Sequence, residues 1–99
     1  MNAPNTLPIE SDREERIADL VEESGPDWAD AYRPGSIGCH ELLDGVSLLM
    51  DMADRFVVDH PACLARREWY LLADRAAETL RELYQQVGAE HLGADDAAD

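Results

Sequence analysis

A chain of 99 residues has room for one small domain, and its 45% apolar residues can fill a core but cannot wall an enzyme-sized cleft. Twenty-two acidic residues face eight basic ones, all of them arginine, for a formal charge of −14. A field of that sign argues against direct binding to DNA, RNA or anionic lipid and favours a protein partner with a basic surface.

The absence of lysine and the many alanines fit a GC-rich bacterial genome. A salt-adapted or nucleic-acid-mimicking surface would have the same composition. Two cysteines, Cys39 and Cys63, are too few for a disulfide framework. The opening MNAPNTLPIESDREER has no basic region running into an apolar one, and no apolar run is long enough to span a bilayer. The expected location is the cytoplasm.

Residues 1–10 contain two prolines and no periodicity, and are expected to form a flexible arm. Ser11-Asp12-Arg13-Glu14 has the form of a capping box, and Ile17, Leu20 and Val21 follow at i, i+3 and i+4 before Gly25-Pro26. A short helix over 11–24 is predicted, with an apolar face so thin that it can only lie across something larger. In the connector, Trp28 and Tyr32 lie four apart, which on one helical turn places both rings on one side. They are expected to pin the connector to the core.

The second predicted helix, 39–59, has the clearest pattern. Leu42, Val46, Leu49, Ala53 and Phe56 are spaced 4, 3, 4, 3, while Leu43, Met50 and Val57 form a second column seven apart. At about 100° per residue the apolar arc from Met52 to Leu43 covers roughly 180°, more than one neighbouring helix can bury. His60-Pro61 breaks the pattern, with Asp59 a candidate cap. A third helix, 65–88, carries Trp69, Leu72, Ala76, Leu80, Leu83 and Val87 on one face, with Ala73, Ala77 and Tyr84 beside it, and Gly88 as its stop. Residues 93–99, GADDAAD, are expected to be a disordered acidic tail.

The predicted fold is therefore all-α, a single helical domain over 11–92: an antiparallel hairpin with a short N-terminal helix, paired into a dimeric four-helix-type bundle. A monomeric three-helix bundle, with the first helix folded onto the hairpin, is the alternative.

The stretch YRPGSIGCHELL concentrates the candidate chemistry. With Gly38 as N-cap, Ile37 and Leu42 would form a hydrophobic staple, and Glu41 would fall at the third position, reaching back to the cap. Cys39 and His40 remain. At a helix start a thiol is activated, but no third group orients the imidazole and no phosphate loop is present. Metal ligation by Cys39, His40, His60 and Cys63 fails on spacing, because about 30 Å of helix separates the two pairs unless a second subunit joins them. No enzyme activity, metal or cofactor is therefore expected.

The expected function is that of an acidic adaptor, regulator or inhibitor, in its sharpest form a nucleic-acid mimic that blocks a basic surface. Partner contact is assigned to Trp28, Tyr32, Cys39, His40, Leu48, Asp51 and Met52. The competing possibility is a metal- or thiol-dependent sensor or small enzyme centred on Cys39 and His40.

Overall fold

The computed structural model describes the backbone of residues 3–98 and the side chains of residues 8–93. Within that range the chain is all-helical: four α-helices, a 3-10 helix and a π turn, with no strand. It divides into two compact units, Met1–Ala31 and Tyr32–Asp99.

The first unit holds helix α1, Ala3–Ser24. The helix starts eight residues before Ser11, so the expected arm is helical from residue 3 on, and residues 1 and 2 lie outside the described range. Pro4 falls in the first turn, where a missing N–H costs nothing, while Pro8 lies inside the helix and removes the bond to the Pro4 carbonyl. Ser11 and Glu14 are thus interior residues rather than a capping box, and Arg13 pairs with Glu10 at 2.6 Å instead. The predicted end is the observed one. Gly25, at φ 89°, donates its N–H to the Val21 carbonyl at 2.8 Å.

The second unit is a hairpin of α2, Ile37–Ala53, and α4, Arg67–Ala98, joined by a π turn, Asp54–Val58, and a one-turn helix α3, Pro61–Leu64. Helix α2 is capped by Ser36, whose Oγ accepts the Cys39 N–H at 3.0 Å, not by Gly38. A serine oxygen satisfies an orphan donor that glycine cannot. The start therefore moves two residues upstream, the Ile37–Leu42 staple is not formed, and Ile37 is left 83% exposed. Helix α3 is capped by His60, whose Nδ1 accepts the Ala62 N–H at 3.0 Å, in place of Asp59.

Helix α4 starts at Arg67 rather than 65 and runs through Gly88 to Ala98, so the expected tail over 93–98 is helical; residue 99 is outside the described range. Gly88 does not stop it because a helix-ending glycine needs positive φ, and among the described residues only Gly25 and Gly35 have one.

Three cross-helix positions fix the hairpin as antiparallel: Gly35 with His91, Leu43 with Gly88, and Asp54 with Arg81. Besides Gly38, Arg81 and Gly88, the residues of α2 turned away from solvent are Cys39, Leu43, Val46, Met50 and Ala53, and those of α4 are Tyr70, Ala73, Ala77, Leu80, Tyr84, Val87 and His91. Both sets alternate by 3 and 4, so each is an a/d seam. The expected seam Leu42–Val46–Leu49–Ala53–Phe56 is displaced by one position. Val46 and Ala53 turn inward, while Leu42, Leu49 and Phe56 stay exposed. One neighbouring helix covers only a and d, and the column Leu43–Met50 takes that place.

The π turn completes the displacement. The Asp59 N–H reaches the Asp54 carbonyl at 3.0 Å, an i to i+5 bond that adds one residue to the turn. Val58 therefore takes the buried position that seven-residue spacing assigns to Val57. Phe56 and Val57 are turned outward.

Candidate functional site

Heptad letters set by the two seams place Leu42, Leu49 and Phe56 at g on α2, and Trp69, Ala76 and Leu83 at g on α4. In an antiparallel pair g flanks g and e flanks e, so the two sides of the hairpin can be compared. The e side is ionic, with Asp54 and Arg81 at 3.7 Å across it. The g side is apolar and open. Leu49 is 52% exposed and Leu72, at the neighbouring c position, is 61% exposed. No charged residue stands at g or c from Leu42 to Phe56 or from Trp69 to Gln86.

At the tip of the hairpin this side deepens into a groove of roughly 490 Å³, lined by Phe56, Val57, Cys63, Trp69, Leu72 and Ala73 among others. The π turn supplies Phe56 and Val57 to it. Arg66 stacks its guanidinium over the Trp69 ring at 5.5 Å from the centroid, which holds the indole in place at the groove edge.

The residues singled out from the sequence do not form one site. Trp28 is half-buried and lines a shallow groove on α1 with Ile9, Ile17 and Leu20. Tyr32 is well exposed rather than pinned to a core. Their segment, Trp28–Tyr32, is a 3-10 helix with three residues per turn, so a spacing of four does not repeat a face. Met52, at c, borders the apolar stripe. Leu48, at f, and Asp51, at b, lie on the far side of α2, and Asp51 is engaged by Arg55 at 2.9 Å.

Cys39 is buried against α4, as the common fate of a free cysteine would have it, and His40 is exposed, its Nε2 3.5 Å from an Asp44 carboxylate oxygen. Among the described residues no three His, Cys, Asp or Glu side chains gather as metal ligands would. No helix there is long and apolar enough to cross a membrane.

His91 was not anticipated. Its ring is 8% exposed, lies 5.7 Å from the His40 ring, and accepts the Gly35 N–H on Nδ1 at 2.8 Å. The connector is thus fastened to α4 by His91. Gly35 has φ 91°, a conformation that suits glycine and aims its N–H at the ring. The signal for His91 was present: the alternation 70, 73, 77, 80, 84, 87 continues to 91 once Gly88 is allowed inside the helix. Replacing His91 by Ala leaves a part-buried donor unpaired and is expected to cost about 1–3 kcal/mol. His91→Asn, whose amide oxygen can replace Nδ1, should recover about half of that loss. Thermal unfolding of the two variants measures the difference; equal loss in both would show that the ring matters through packing alone.

No family model, characterised protein or solved structure matches this chain.

Proposed function

We propose that this chain is a small non-enzymatic interaction protein, an adaptor, regulator or inhibitor, that works as a homodimeric four-helix bundle and offers acidic faces to a basic partner. The observation that carries the reading is the g side of the hairpin: two antiparallel helices expose one uncharged apolar stripe on a molecule of net charge −14. Exposed apolar surface that is contiguous and rimmed by charge marks an interaction site. A like-charged second copy is repelled everywhere except along such a stripe.

The three-helix alternative predicts a chain of single mass, so the mass measurement below separates the two. With the stripe paired, Asp44, Asp51, Glu78 and Glu82 at b and f positions remain on the outside. Their work is occupancy: rows of carboxylates meet arginine and lysine on the partner, steer its approach and set the register of the contact. A protein that mimics nucleic acid, filling a basic channel, is the specific form of this mechanism. The buried thiol of Cys39 gives no support to a sensor or enzyme at that position.

Light scattering on a gel-filtration column should return twice the chain mass of 11.0 kDa. Immobilised protein should retain a basic protein from a native extract in stoichiometric amount, and salt should release it. A single-mass chain that retains nothing, or retains only salt-insensitive material, would sink the proposal.

A further inference from the structure

We infer that the bond between Gly35 and His91 is an acid-sensitive clasp. It fastens the connector to α4 while the His91 ring is neutral and releases it when the ring takes a second proton. The clasp does not depend on the dimer proposed above.

The His91 Nδ1 accepts the Gly35 N–H at 2.8 Å, so that nitrogen keeps its lone pair and the ring proton sits on Nε2. A neutral imidazole has one donor and one acceptor, whereas an imidazolium has two donors and no acceptor. Nδ1 is thus the only place for a further proton, and a proton there points a ring N–H at a backbone N–H. Both cannot stay. The two sides differ in what they do next. The ring is 8% exposed and has little access to water where it lies, while Gly35 is exposed and its freed N–H finds water. Gly35 holds φ 91° in the fastened state, and as a glycine it can leave that conformation at little cost.

The surrounding charges act in the same direction. From α2 the His40 ring faces His91 with centroids 5.7 Å apart, and the Asp44 carboxylate lies 3.5 Å from the His40 Nε2. His40 is exposed, so it can take a proton with Asp44 as its partner, which sets a positive charge beside His91. Two imidazolium rings repel, so a protonated His91 is driven out rather than held. The buried Cys39 is the other titratable group that α2 turns toward α4. Along the chain, the nearest charges are Arg33 on the connector and Glu90 and Asp95 in α4.

The fastened form has no room for a proton on Nδ1 and the released form binds one, so acid favours release. The ratio of fastened to released connector is at its full value above about pH 7 and falls by up to about tenfold for each pH unit below about 6.5. Ser36, the cap of α2, follows Gly35 directly, so release loosens the first turn of that helix while the seam behind it stays packed.

Nuclear magnetic resonance of the full chain between pH 8 and pH 4.5 reads the clasp. Ring nitrogen shifts give the His91 tautomer, and a scalar coupling across the Gly35 N–H···Nδ1 bond reports the bond itself. At pH 8 the coupling should be present, with the ring proton on Nε2. By pH 4.5 it should fall to about half or less, in step with protonation of His91, while the amide shifts of Val46 and Ala77 hold. His91→Asn keeps an acceptor that does not titrate, so its Gly35 amide shift should hold over the same range. His40→Asn should retain the loss seen in the unaltered chain. A ring proton on Nδ1 at pH 8 overturns the clasp, as does a coupling that survives protonation of His91. An equal acid shift of Gly35 in His91→Asn, or a loss abolished by His40→Asn, assigns the sensing to another group and overturns it too. Should His91→Asn fail to fold, the titration of the unaltered chain and of His40→Asn decides.

Discussion

Leu49→Glu is expected to convert the proposed dimer to monomers while the helices persist. Leu49 sits at g near the middle of the stripe, half exposed in one chain and covered when two chains meet. Its loss removes about 1 kcal/mol of apolar burial per subunit. Each new carboxylate must also be desolvated against an apolar face, which costs at least as much again. Because a two-fold interface carries every change twice, dissociation should strengthen by about 100-fold or more. Leu48→Glu, one residue earlier at f and on the far side of α2, should leave the dissociation constant within about twofold, as surface substitutions do. Sedimentation over a concentration series compares the two. Equal effects at positions 48 and 49 would deny the stripe its role, whatever the mass of the unaltered chain.

The second large effect is expected inside the hairpin. Ala77 has no exposed surface, and with Cys39, Val46, Val58 and His91 it makes up the buried set of the described residues. A core this sparse has little room to redistribute an intruding side chain. Ala77→Leu should destabilise the fold by about 2 kcal/mol, lowering the melting temperature by about 10 °C. The neighbouring Ala76→Leu adds the same three carbons on the exposed g column and should leave folding almost unchanged. Calorimetry of the pair checks the seam assignment residue by residue. If Ala76→Leu proves the damaging change, Ala76 and not Ala77 faces α2.

The all-helical class and the hairpin's two long elements were legible because the 3–4 alternation of apolar residues is strong on both. Which of two adjacent columns meets the intrachain neighbour was not legible. Leu42–Leu49–Phe56 and Leu43–Met50–Val57 are equally apolar and equally periodic, and a sequence carries no label for the partner that each column serves. The wide apolar arc did register that one neighbour was insufficient. Helix ends were read less well, since Gly38 and Gly88 were weighed as punctuation by residue type, whereas the backbone uses Ser36 as cap and keeps Gly88 helical. The π turn has no signature in composition or spacing. Of the proposed contact residues, Met52 alone borders the stripe; Leu48 is apolar but lies at f, on the far side of α2.

The π turn has a consequence for how such a chain can change over generations. An inserted residue in an ordinary α-helix slides every later side chain around by about 100° and ruins a heptad seam. Here one surplus residue is taken up between Ala53 and Asp59, and the order of burial resumes at Val58. A further residue gained at the tip would be absorbed in the same way, while the hairpin behind it keeps its register.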